Sequence, residues 1–261
     1  MVYRCRATSL EGFIQQLAVS YVARGYWFYV KGWIPYSKAP EAIDGKLIDR
    51  YDIGVSKWER ARRKRAGLAN VHYLRLGRTF VLIASLGQHR FFGDEAAVIR
   101  DIRRVPFKHG GYSVSYRNGH ASVRIDQETY KRMKAYLVEL ALRRPADGLV
   151  AELGMLPFEP YAPVRRQLLN LHRAVNRARK TAGLSEIPVE CLRLRRRLVL
   201  PRLEVERVEV LPDFLIEAAA LLVPDRARIE EPLHDGRPLQ PLAILVLGHG
   251  VVEVLRDARR D

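Results

Sequence analysis

The dipeptide Asn118-Gly119 stands between two runs, Tyr112 to Arg117 and His120 to Ile125, in which apolar and polar side chains alternate. Both residues tolerate positive φ, which a type I′ turn requires at its two central positions, so the pattern reads as a two-residue β-hairpin. The turn sets the register. Tyr116 opposes Ala121, Val114 opposes Val123 and Tyr112 opposes Ile125 on one face, while Arg117/His120, Ser115/Ser122 and Ser113/Arg124 share the other. A slip of one residue would turn the whole apolar set outward, so one face belongs to a core and the other is polar and basic.

Around this hairpin the periodicity alternates between helix and strand. Ser9 caps a predicted helix through Phe13, Ile14, Leu17, Val19 and Val22 that Gly25 ends, and the aromatic, β-branched run over 26–34 is a strand stopped by Pro35. Residues 39–51 read as a helix with Ile43, Leu47 and Ile48 inward, and Ser56 opens a shorter helix that Gly67 stops. Strands are expected over 70–75, 79–84 and 88–92, then a helix over 94–103. After the hairpin, 127–144 forms a long amphipathic helix ended by Pro145, with Tyr130, Met133, Leu137 and Leu140 at helical spacing. Beyond a Pro-rich break, Val164, Leu168, Leu171, Val175, Ala178 and Ala182 make an unbroken apolar seam, with Gly183 as the stop.

An antiparallel hairpin among helices predicts an α+β fold rather than a doubly wound parallel sheet. The expected arrangement is an antiparallel sheet with helices packed on one face, followed by a basic helical segment and a small acidic C-terminal unit. The boundaries read as a basic α+β domain over 1–156, an Arg-rich helix and linker over 157–200, and an apolar, acidic subdomain over 201–261 with a helix over 213–222 and a strand over 242–247.

Charge gives the first functional constraint. Residues 1–200 hold 37 Lys and Arg against 17 Asp and Glu, a surplus of 20, whereas 201–261 hold 8 against 12. Self-repulsion of this size opposes compaction, so its use is attraction of a polyanion, and nucleic acid is the first candidate partner. Arg carries the excess, and its planar fork suits phosphates and stacks on bases. The acidic tail offers a possible docking site for a protein partner.

Three basic elements carry this reading. The helix opened by Ser56 supplies Lys57, Trp58, Arg60, Arg62, Arg63, Lys64 and Arg65, with Trp58, Arg62 and Arg65 on one side. Opposite the apolar seam, Arg166, Asn170, Arg173, Arg177 and Lys180 form a matching stripe, and Arg193, Arg195, Arg196 and Arg197 form a third cluster. Arg117 and Arg124 add to them from the hairpin. Interleaved aromatics (Tyr26, Trp27, Tyr29, Trp33, Tyr36, Trp58, Tyr73) include some that could stack unpaired bases, although most belong to the core. In a two-sided sheet only one of the sets Trp27/Tyr29/Trp33 and Tyr26/Phe28/Val30 can be exposed.

Catalytic signatures are sparse. The chain has no Walker loop, no GxGxxG after a strand and no HExxH. Asp44, Asp49 and Asp52 lie close in sequence, but a turn or a solvated helix accounts for them more simply than a metal-nuclease cluster does. His72, His89, His109 and His120 lie near predicted strands among basic residues, and His120, beside Arg117 and Arg124, is the candidate general acid or base. The two cysteines, Cys5 and Cys191, form no metal-binding or disulfide pattern, so no metal and no cofactor are expected. No apolar run approaches the roughly 18 residues of a membrane span, and residues 1–10 hold Arg4 and Arg6 but no apolar h-region, so no membrane partner and a cytoplasmic location are expected.

These features together predict an intracellular nucleic-acid-binding protein, RNA ahead of DNA, that grips the phosphate backbone through Arg-rich helices. Small basic α+β proteins occur among RNA-processing enzymes and among accessory proteins of mobile elements and defence systems, which makes a component of such a nucleoprotein complex one expectation. The alternatives are a metal-independent endoribonuclease using a His and Arg/Lys site, and a structural subunit of a larger nucleoprotein assembly.

Overall fold

Residues 3–195 are described by a computed structural model, and the local signals at the start of the chain are obeyed. Ser9 accepts a hydrogen bond from the backbone N–H of Gly12 and begins α1, Leu10–Gln15, which continues as a π-helical stretch, Gln16–Tyr21, and a 3₁₀ turn, Val22–Arg24. Gly25 closes it at a φ of 91°, in the left-handed region that glycine enters without steric cost. The elements that follow are β1 Tyr26–Trp33, α2 Pro40–Arg50, α3 Lys57–Arg65, β2 Val71–Leu76, β3 Thr79–Ser85, α4 Arg90–Asp94, β4 Arg100–Asp101 and β5 Phe107–His109. The hairpin β6 Tyr112–Arg117 and β7 His120–Ile125 leads into α5 Gln127–Arg143, α6 Ala146–Gly154 and α7 Ala162–Thr181.

The fold is α+β, with its strands divided between two antiparallel sheets, β2-β3-β1-β4 and β5-β6-β7. The hairpin has the register the Asn-Gly turn dictates, from Arg117 opposite His120 to Tyr112 opposite Ile125, with φ of 52° at Asn118 and 79° at Gly119. Its two faces differ from the expectation in one respect: Ser115 and Ser122 are buried along with the pairs Val114/Val123 and Tyr112/Ile125, so the fully exposed positions are those at the turn and Arg124.

Two stretches adopt a different structure from the one their composition suggests. Residues 88–92 are not a strand, because His89 Nδ1 accepts the N–H of Phe91 and starts the short helix α4. Nor is 94–103 a helix. The chain turns after α4 and Arg100 and Asp101 pair with Tyr29 and Phe28, closing the free edge of β1. An available sheet edge outweighs helix propensity over so short a segment. The aromatic strand β1 is covered on both sides, so Tyr29 and Val30 are both buried and neither alternating set faces solvent.

One face of the larger sheet packs Val30, Val71, Tyr73, Leu82 and Ala84 against Tyr51 and Ile53 beyond α2 and Phe91 of α4. On the other face, the π-helical stretch after α1 meets the sheet through Tyr21 on His72, and Phe107 of β5 sits beside both Phe13 and Tyr29. Helices α5 and α7 pack together and run in the same direction. Near its start α7 places Gln167 on the N–H and C=O of Ile125, and near its end Arg179 donates to the carbonyls of Ala141 and Arg144. Gln167 therefore satisfies the open edge of β7, while Arg179 caps the carbonyl end of α5.

The buried residue of α2 is a carboxylate, Asp44, which accepts from Arg75 Nε at 2.8 Å, from Arg75 Nη2 at 2.7 Å and from the Tyr73 hydroxyl at 2.6 Å. Ile43, Leu47 and Ile48 are half-buried around it. This engagement answers the metal-nuclease idea for Asp44, whose lone pairs are taken by protein donors. Removing one partner of a buried ion pair leaves the other uncompensated at a cost of about 3–5 kcal/mol. Asp44→Ala is accordingly expected to lower the urea midpoint steeply, and Asp44→Ala with Arg75→Met to recover part of that loss. Equal stability of the single variant and the parent would show that the pair does not anchor α2.

Candidate nucleic-acid interface

Helix α7 contains six Lys and Arg and no acidic residue along its 20 positions. Its buried side holds Val164, Leu168, Leu171 and Val175 as the apolar spacing predicts, with Ala178 half-buried and Ala182 exposed beyond the helix end. The opposite stripe, Arg166, Asn170, Arg173, Arg177 and Lys180, is exposed throughout. At a rise of about 1.5 Å per residue the stripe is roughly 21 Å long. Arg173 hydrogen-bonds Asn170 Oδ1 at 3.2 Å, and among the described residues no ion pair engages Arg166, Arg173, Arg177 or Lys180. Beside the C-terminal half of the stripe, Arg173, Asn176, Arg177 and Lys180 line a shallow depression of about 470 Å³ with one acid, Glu186, at its border. The floor is held by His172, which bonds the carbonyl of Ile187, and by Asn176, which bonds both the N–H and C=O of Ile187.

Helix α3 is built differently. Ser56 caps it through the N–H of Glu59, and none of its residues is buried. Polar contacts hold it instead: Arg60 Nη2 donates to the carbonyl of Ile53, Asn70 Nδ2 donates to the carbonyl of Arg60, and Arg63 lies against Glu59 and Asp52. Arg60 and Arg63 are thus attached to the protein, and Arg60 Nε is enclosed with no partner. Lys57, Trp58, Arg62, Lys64 and Arg65 project outward. Arg62 pairs with Glu59, so the single acid of the helix is neutralised by its own neighbours.

The remaining candidates divide in the same way. Arg117 and Arg124 are exposed on the hairpin. His120 is exposed at the hairpin end, its Nδ1 lying 3.0 Å from the carbonyl of Asn118. Arg193 is committed to Glu159 at 2.6 Å, Arg195 is exposed, and Arg196 and Arg197 lie outside the described residues together with everything expected of 201–261.

Sequence reasoning missed a polar aromatic cluster around His72, near the charge of Arg60. His72 stacks on Tyr21 at 4.6 Å between ring centres, lies 4.9 Å from Tyr26, and bonds the hydroxyl of Tyr3 through Nδ1 at 3.0 Å. The π-helical turn supplies Tyr21 and Gln16, whose amide donates to the Tyr21 hydroxyl. A β-bulge between Tyr26 and Phe28 brings Tyr26 to the same side. Burial, reinforced by the nearby Arg60 charge, pushes His72 down to about 3. Burial and then Lys31 push His109 down to about 4. Both imidazoles are therefore neutral in the folded protein at neutral pH, which suits packing and leaves them weak as proton acceptors. Among the described residues no group of three His, Cys, Asp or Glu side chains is placed to hold a metal ion. No helix among them is long and apolar enough to cross a membrane.

The depressed histidines make acid stability the readout. In the unfolded chain each has the ordinary value near 6.5, so below that pH the unfolded state binds protons that the native state refuses. Stability is expected to be level above about pH 6.5 and to fall as pH drops toward 4, with a slope of up to about 1.4 kcal/mol per pH unit per histidine. His72→Gln should flatten that slope in urea titrations at pH 7.5 and pH 5; an unchanged slope would mean His72 titrates normally. The chain matches no protein-family model and no curated protein, so its function rests on the chemistry of its own surfaces.

Proposed function

We propose that this protein binds nucleic acid through its phosphate backbone, with RNA ahead of DNA, and that the α7 stripe is the principal contact. The observation that carries the reading is the set Arg166, Arg173, Arg177 and Lys180, aligned along one exposed helix face with no acidic residue on the helix to neutralise them. A solvated helix face ordinarily mixes both signs. Here the guanidinium groups carry no ion pair among the described residues, Arg173 giving one N–H to Asn170, and Arg forks match phosphate oxygens in a bidentate manner. Arg117, Arg124, Lys57, Lys64 and Arg65 supply further positive charge elsewhere on the surface. Backbone contacts of this kind position a nucleic acid without reading its sequence. A place in a larger ribonucleoprotein assembly follows naturally from such a role.

The test is salt dependence. Each phosphate contact contributes about 0.7 to the slope of log affinity against log salt for a single strand and about 0.9 for a duplex. The variant Arg166→Gln, Arg173→Gln, Arg177→Gln, Lys180→Gln is expected to bind RNA and DNA oligonucleotides more weakly, with the slope reduced by about 3 and the fold retained by circular dichroism. Unchanged affinity and slope would remove α7 from the interface, and absence of binding by the parent protein at low salt would overturn the proposal.

A further inference from the structure

Trp58 is 84% exposed, the largest exposure among the exposed large hydrophobic side chains of the described residues. Large aromatic side chains usually give up their surface to a core or an interface, and Trp58 does neither within this fold. The helix that carries it has no buried residue and is held by the Arg60, Arg63 and Asn70 hydrogen bonds, so Trp58 is not needed to dock α3. Its neighbours one and two turns along the same face are Arg62 and Arg65, and Lys57 precedes it. A bare indole ringed by cations, with Glu59 already occupied by arginines, is complementary to a ligand that offers a flat apolar face together with negative charge. A nucleotide whose base is unpaired offers both, whereas the bases of a duplex are shielded by stacking on one another.

We infer that Trp58 is a stacking platform for an unpaired base, and that Lys57, Arg62 and Arg65 hold the flanking phosphates, so the protein takes single-stranded nucleic acid, or the single-stranded part of a longer one, at α3. This inference rests on the nucleic-acid reading of the preceding section and narrows it to unpaired ligand. Stacking on an indole is tolerant of sequence, because every base has a π face. The platform therefore selects strandedness and leaves base identity open.

The experiment compares the full chain with Trp58→Ala and Trp58→Phe, using a short oligouridylate RNA, the matching oligothymidylate DNA and a duplex of the same length, by fluorescence anisotropy at fixed salt. The parent is expected to bind the single strands, with Trp58→Ala weakened roughly 5- to 150-fold on them, little changed on the duplex, and with its salt slope preserved because no phosphate contact is lost. Trp58→Phe should recover most of the affinity. Because the side chain lies outside the core, an unchanged circular dichroism spectrum and urea midpoint should accompany the loss. Equal affinity of Trp58→Ala and parent for single strands overturns the stacking inference and leaves the backbone-binding proposal standing. An equal loss on duplex and single strands also overturns it, since the indole would then serve another contact. No binding of any oligonucleotide by the parent protein overturns both.

Discussion

A single buried pairing, Asp44 with Arg75, fastens the chain's first hundred residues. Asp44 is 8% exposed and Arg75 4%, so neither charge would be tolerable without the other. Arg75 belongs to β2, whose outer edge exchanges backbone hydrogen bonds with Cys5 and Ala7, and its guanidinium also reaches the carbonyl of Gly77 in the turn to β3. Asp44 brings α2 onto the same face and accepts the Tyr73 hydroxyl. The strand edge, the turn and the covering helix are thus tied at one point. Burial and the hydrogen bond to Asp44 push the Tyr73 phenol up, which keeps it protonated as a donor.

Arginine serves two purposes in this protein, and the structure separates them. Arg75, Arg179, Arg60, Arg63 and Arg193 act inside: they satisfy a carboxylate, the end of α5, the carbonyl of Ile53, Asp52 with Glu59, and Glu159. Arg179 is only 2% exposed, yet all its bonds go to oxygen atoms of its own chain. Of the exposed arginines left over, those on the α7 stripe, α3 and the hairpin are grouped, while Arg4, Arg24, Arg104, Arg132 and Arg165 are exposed at other places. The surplus of positive charge in the sequence therefore overstates the binding surface, and the part of it on α7 is aligned along one helix face.

The two basic helices solve the problem of attachment in opposite ways. Helix α7 anchors itself by an apolar seam and leaves a whole stripe free. Helix α3 has no seam and is held by hydrogen bonds of its own arginines, which leaves its aromatic residue uncovered. The first arrangement suits a rigid rail of charge along a backbone. The second presents a flat ring beside cations, the combination that unpaired bases recognise.

What the sequence by itself determined is whatever a few neighbouring residues can decide. The Asn118-Gly119 turn set the hairpin register because backbone conformation at two positions propagates along paired strands, and the 4-3-4 spacing from Val164 to Val175 set which side of α7 is buried. The caps at Ser9 and Ser56 and the exposed stripe of α7 were legible for the same reason. Tertiary structure alone decided which charges are spent internally, because Asp44 finds Arg75 and Arg179 finds the end of α5 across separations of 31 and 38 residues. It also converted 94–103 from an expected helix into the edge of β1, buried Ser115 and Ser122, and gathered His72 with three tyrosines from separate parts of the chain. Periodicity reports which face of an element is apolar; desolvation and hydrogen-bond geometry, which select polar partners, exist only once distant elements have met.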